Sequence, residues 1–144
     1  MVTNFVREID LYQKNKRMRS EKHRRNVASL DCAICGRGAP SQCAHVNATK
    51  GIGIKACDSL TFPACPNCHR EHDTGRRGEK IEWWTKEWEL VDYTRAQLLR
   101  LNLWTKEIEE HYKRAIEPIA RFVNAYRFND EAENELDKTN EVTE

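Results

Sequence analysis

No run of apolar residues in this chain is long enough to cross a membrane, and the opening residues, Met1 to Glu8, lack the basic segment and apolar stretch that would direct secretion. Both absences predict a reducing, cytoplasmic setting. Charge of one sign is not in excess either: the net charge is +1, so total charge by itself says little about a polyanionic partner. No internal repeat is present, and at 144 residues the chain has room for one domain with a modest core rather than two. Wholesale disorder is excluded in turn, because 39% hydrophobic residues beside 33% charged ones is the balance of a folded globular chain.

What is present is unevenly placed. Lys14, Lys16, Arg17, Arg19, Lys22, Arg24 and Arg25 crowd one stretch, while Asp130, Glu131, Glu133, Glu135, Asp137, Glu141 and Glu144 crowd the other end. The near-neutral total therefore hides a basic block and an acidic one. Glycine and proline are absent from Phe5 to Ala28, which predicts helix, in one or two pieces. From Cys32 to Gly53 the texture changes to Gly, Pro, Ser, Asn and Cys, the composition of a tight hairpin and loop. Ser59-Leu60-Thr61-Phe62 reads as a short strand, and Pro66 and Gly75 bracket a short helix as its opening and closing residues.

Glu79 to Leu101 reads as helix, with Trp83, Trp84, Trp88 and Val91 spaced to form core. Ile108, Tyr112, Ile116, Ile119, Val123 and Tyr126 trace one apolar stripe on a helix from Thr105 to Tyr126, which Pro118 is expected to kink or divide. Beyond Asn129 the acidic, apolar-poor tail is expected to stay disordered, since it buries too little to offset its ordering entropy. The expected organisation is a basic helical segment over 1–31, a core over 32–78, a helical extension over 79–128 packing on that core, and the acidic tail over 129–144.

The six cysteines are informative through their spacing. Cys32-Ala-Ile-Cys35 and Cys65-Pro-Asn-Cys68 are two C-x2-C pairs, and in a reducing compartment four such thiolates suit a tetrahedral zinc ion. Each pair wraps a tight knuckle around the ion, and the metal supplies folding energy that the small, apolar-poor segment between them lacks. Cys43 and Cys57 have no C-x2-C partner and read as small buried residues.

Between the knuckles lies Ala44-His45-Val46-Asn47, and directly after the second comes His69-Arg70-Glu71-His72-Asp73. On a helix opened by Pro66, His69 shares a face with Asp73 and with His72, so either pair can hold one divalent ion. Phosphodiester hydrolysis needs a base for water and an electropositive centre for the developing charge. His45 is the candidate base.

Together Cys32-x2-Cys35, Ala44-His45-x-Asn47, Gly51-Ile-Gly-Ile-Lys55-x2-Asp58 and Cys65-x2-Cys68-His69-x3-Asp73 resemble the HNH, or His-Me finger, nucleases, and in particular the small phage and prophage members. The likeness covers about Arg19 to Trp104. It implies an α+β fold: a treble-clef-like, zinc-stapled ββα-metal core flanked by N-terminal and C-terminal helices. It also implies that His45 activates water, that His69 and Asp73 bind a catalytic Mg2+ or Mn2+ with His72 in reserve, and that the site of action is the host cytoplasm. Many members place Asp or His, a further metal ligand, just before the base; here that position is Ala44. The middle Asn of the motif has no clear counterpart, and Asp58, rather than Ser59, is expected to steer His45 or act on the metal.

Lys50, Lys55, Arg70, Arg76 and Arg77 flank this site in sequence and are expected to contact phosphates, as is the N-terminal basic block. No feature suggests base readout, so weak sequence preference or a preference for DNA structure is expected. The sequence thus predicts a metal-dependent DNA endonuclease, with a phage or recombination protein as a partner suggested by analogy. Two rival readings are a catalytically silent zinc-containing DNA-binding or recombination accessory module, and a protein-interaction module presenting Trp83, Trp84 and Trp88.

Overall fold

The computed structural model describes residues 17–48, 57–75 and 78–142. Helix α1 spans Glu21–Ala28. It begins later than the sequence suggests because Ser20 caps it: the Ser20 side chain accepts from the His23 backbone N–H. Its inward face carries His23 and Val27, four residues apart, and both are buried. The rest of the expected N-terminal helix lies largely outside the described residues.

Strand β1 (Gln42–His45) pairs antiparallel with β2 (Thr61–Ala64), Gln42 opposite Ala64 and His45 opposite Thr61. The expected strand over Ser59–Phe62 thus sits two residues further on. The reason is a turn: Leu60 N–H donates to the Cys57 carbonyl, and the Thr61 hydroxyl donates to the Asp58 carbonyl. Every residue of β2 is buried, because α1 and helix α3 (Lys80–Arg100) both pack against it. Between them, helix α2 (Pro66–Thr74) follows β2 directly, with Pro66 in its first turn and Gly75 at its end. A Cβ at Gly75 would lie 2.6 Å from the Glu71 carbonyl oxygen, so only glycine fits that close approach.

Phe62, Leu60, Val27, Val46, Val91 and Leu98 form the centre of one hydrophobic core. Helix α4 (Lys106–Val142) packs on α3 through Ile108, Tyr112, Ile116, Ile119 and Val123, the stripe that the sequence shows except for its last member: Tyr126 is exposed, one turn past the end of the packed face. The helix is continuous through Pro118, so the expected division is corrected: packing on both sides of that position holds the turn. Trp84 and Trp88 pack against the core as expected, whereas Trp83 is half-buried beside Trp84 and outside the core, and the inward positions on α3 are filled by Glu87, Val91, Thr94 and Leu98.

The tail also differs from expectation. Helix α4 runs on to Val142 although the side chains of 124–138 are all exposed. Glu, Ala, Leu and Lys are strong helix formers, this stretch has neither Gly nor Pro, and a helix already nucleated by packing extends at little cost. The described residues thus form an α+β arrangement of four helices and a two-stranded sheet. Among them, no helix is long and apolar enough to cross a membrane.

Candidate metal centre and paired histidines

The two C-x2-C pairs meet. The sulfurs of Cys32, Cys35, Cys65 and Cys68 all lie within 4.8 Å of one another, and Cys35 Sγ is 3.7 Å from Cys65 Sγ. Zinc–sulfur bonds of about 2.3 Å in a tetrahedron put neighbouring sulfurs somewhat under 4 Å apart, so the cage fits zinc. Each knuckle is tied by its own backbone: Cys35 N–H points at Cys32 Sγ and Cys68 N–H at Cys65 Sγ, both at 3.5 Å. Gly36, with φ +79°, makes the first knuckle's turn, and its N–H donates to the Cys32 carbonyl. Burial works against ionising Cys32, but backbone N–H groups around its sulfur hold the thiol down at about 6. Cys43 behaves oppositely, since burial pushes its thiol up to about 11, and neither it nor Cys57 belongs to the cage.

Alternation along β1 separates the two candidate catalytic groups. Cys43 and His45 point to one side of the strand, Gln42 and Ala44 to the other. On the first side, His45 Nε2 lies 2.8 Å from Asp58 Oδ1. Asp58 is fully buried, yet it also accepts from the Ser20 backbone N–H at 2.8 Å and from Arg24 at 2.7 Å, with Arg19 at 3.5 Å. Burial raises its carboxyl pKa, but the His45 and Ser20 hydrogen bonds and the Arg24 charge outweigh that and leave it below the ordinary 3.8. An ionised carboxylate only accepts, so His45 Nε2 carries the proton and Nδ1 is left as the basic nitrogen. With two guanidinium groups around one carboxylate, the surroundings of His45 are net positive.

On the other side of β1, His69 Nδ1 lies 2.9 Å from Gln42 Oε1, and His69 Nε2 lies 3.3 Å from Asp73 Oδ2. An amide oxygen accepts, so Nδ1 carries the proton and a neutral His69 turns a bare Nε2 toward a carboxylate oxygen. Two lone pairs facing each other call for a proton or a cation between them. Ala44, buried on this side, offers no ligand atom. His72 turns inward: its Nε2–H donates to Glu87 Oε2 at 2.8 Å, its ring stands edge-on to Phe62, and its Nδ1 is 3.4 Å from Asp73 Oδ1. Among the described residues, the four cysteines are the one group of three or more Cys, His, Asp or Glu side chains close enough to share an ion.

Of the expected phosphate contacts, Arg70 is exposed on α2, and Lys50, Lys55, Arg76 and Arg77 lie outside the described residues. Sequence reasoning missed Glu87, Gln42 and the specific use of Arg19 and Arg24. Glu87 left a signal: it falls between Trp84 and Val91 on the inward face of α3, where a carboxylate needs a partner. Comparison with protein-family models, with curated proteins and with solved structures finds no match to this chain.

The buried groups around His45 also predict how stability responds to acid. His23 is buried behind the site, and burial, opposed by the nearby Asp58 charge, lowers its pKa from the ordinary 6.5. The unfolded chain therefore binds a proton at His23 before the folded one does, so stability falls as pH drops below about 6.5. Asp58, depressed below 3.8, adds stability that is lost only at still lower pH, as its folded-state carboxyl is protonated. Urea unfolding at a series of pH values should show the first decline between pH 7 and 5, reduced in His23→Leu. A flat profile there in the wild type would exclude a neutral buried His23.

Proposed function

We propose that this chain is a zinc-stabilised, metal-dependent DNA endonuclease of the HNH type. The observation that carries the reading is the His45–Asp58 pair, which holds an imidazole in one tautomer beside two arginines at the end of a short strand. In this reading His45 Nδ1 takes a proton as water attacks the phosphorus, and one bridging P–O bond breaks. Asp58 orients the ring and stabilises the imidazolium that forms. Arg19 and Arg24 bring positive charge to the phosphate side. The chemistry of the donor pair suits Mg2+ or Mn2+, which keep several waters and accept one or two protein ligands. His69 and Asp73 would hold the ion from the other side of β1, so this reading requires the phosphate to reach His45 around the end of that strand; when bound, the ion would supply positive charge for the phosphoryl and leaving oxygens.

Gln42 takes the place of a missing contact in this scheme, fixing the His69 tautomer from the far ring nitrogen. Gln42→Ala is expected to weaken Mn2+ binding by about 10- to 100-fold with zinc content unchanged, as read by titration calorimetry. Equal affinity would remove Gln42 from the site. The function itself is tested by incubating the zinc-loaded protein with supercoiled plasmid in Mg2+, Mn2+ or EDTA. Nicking that needs the ion supports the nuclease.

One observation favours the silent accessory module. Ala44 stands buried where a further ligand would be, and His69 and Asp73 are two ligands rather than three. That reading predicts salt-sensitive DNA binding and no cutting with either ion.

A further inference from the structure

Beyond Val123, where the core-facing stripe of α4 ends, the helix carries a second apolar line. Ala125, Phe128, Ala132 and Leu136 recur at helical spacing and share one face. At about 100° per residue, Phe128 lies about 140° around the helix from Val123, so this face turns from the core. All of its members are exposed, Phe128 at 72% and Leu136 at 65%. A single exposed apolar residue is ordinary, but two large ones on one face, about two turns apart with alanine between them, make a continuous strip. Helix propensity accounts for the alanines and the leucine. It does not account for Phe128, a weaker helix former that gains no burial here in return.

The charges beside the strip decide what can cover it. From Phe128 to Asp137 the chain holds Asp130, Glu131, Glu133, Glu135 and Asp137, with no lysine or arginine among them. Glu131 and Glu135 border the strip on one side and Glu133 on the other. A second copy of this face would bring those glutamates against their counterparts, which repel whether the helices run parallel or antiparallel. Nucleic acid and anionic lipid carry the same sign and are disfavoured on the same ground. We infer that the strip is a docking surface for a basic amphipathic helix of a partner protein. Apolar residues of that helix pack against Phe128 and Leu136, and its lysines or arginines meet Glu131 and Glu133. The strip is already helical, so docking costs little ordering on this side. The inference goes beyond the nuclease reading and does not depend on it: no member of the cysteine cage, of the His45–Asp58 pair or of the His69–Asp73 pair lies on α4.

The probe is a fluorescein-labelled, helix-forming peptide with leucines on one face and lysines beside them, followed by anisotropy with the full zinc-loaded chain. One control has the same composition with the leucines scattered around the helix, and a second keeps the leucine pattern with glutamate for lysine. The patterned lysine peptide should bind at least about tenfold more tightly than either, the scale of one buried aromatic anchor. Phe128→Gln, which keeps a good helix former and adds no charge, should abolish the advantage over the scattered peptide. Its melting temperature should match the wild type, because the side chain it replaces is exposed. Glu131→Gln with Glu133→Gln should keep the preference for patterned leucines and lose most of the weakening by added salt. Equal binding of the patterned and scattered lysine peptides overturns the proposal, since charge alone then holds them. Equal or tighter binding of the glutamate peptide overturns the basic partner, and no binding of any peptide overturns the surface. Sedimentation of the protein alone should give the same mass for wild type and Phe128→Gln. A dimer that Phe128→Gln dissociates gives the strip to a second copy and overturns the inference.

Discussion

A His45→Ala protein is expected to keep its fold and its zinc while losing DNA cleavage by about two to four orders of magnitude, the usual contribution of a positioned general base. The side chain is 27% exposed, so truncating it opens no closed cavity in the core. Asp58 keeps the Ser20 N–H and the Arg24 guanidinium when the imidazole goes, so the buried carboxylate is not left unpaired. Nor does His45 belong to the cage, whose members are all cysteines. His45→Ala therefore separates chemistry from stability better than Asp58→Asn, which leaves two arginines and an N–H facing a neutral amide and risks the wrong tautomer at His45. The measurement is single-turnover plasmid nicking in Mn2+ beside a zinc assay and a melting curve. Retained cutting with normal zinc content would move the base elsewhere; loss of both cutting and zinc would mean that the substitution had damaged the frame.

How much of this was legible in the sequence depends on the range of the contact. The zinc cage was legible because each half is local, three residues wide, and only the meeting of the halves is tertiary. Helix α2 was legible for the same reason, bracketed by Pro66 and Gly75. The stripe of α4 was legible from period alone, whereas its continuation beyond Asn129 was not. Composition argues against burial there, and an exposed helix is decided by propensity and by the turn before it. Asp58 was placed near His45 only through a resemblance, since the contact spans 13 residues across a turn. The partners of Asp58 on α1 and at its cap, Arg24 and Ser20, are 34 and 38 residues away, and the Asn47–Glu87 contact spans 40. No local pattern encodes which arginine of a basic block meets which carboxylate. The separation of His45 from His69 follows from strand alternation, but only once β1 is known to end at His45.

Stripping the zinc is the other change with a large expected effect, and α2 is the reason. This helix has no buried residue, so hydrophobic burial contributes little to holding it against the sheet. Its anchors are the two cysteines at its start, the His69–Gln42 contact and the His72–Glu87 hydrogen bond. The knuckle at 32–37 is likewise a turn stitched by a few backbone hydrogen bonds, with Cys35 and its neighbours exposed. A zinc ion held by the four sulfurs would therefore join two segments that have little else in common, and its binding free energy would become folding free energy. Removing it, by chelator or by Cys65→Ser, should cost more than about 4 kcal/mol, a loss associated with few mechanisms other than a lost metal or a broken core. The unfolding should be uneven. Helices α3 and α4 share Val91, Leu98, Ile116, Ile119 and Val123 and should keep much of their helical signal. The core around β1 and α2 should lose protection in hydrogen exchange, and metal-dependent cutting should vanish with it, because His69 and Asp73 ride on the released helix. Cys43→Ser, outside the cage, should retain one zinc per chain and serves as the control. An apo protein with the same melting temperature and unchanged exchange at α2 would show that the four sulfurs are gathered by packing alone, and would remove zinc from the account of how this site is built.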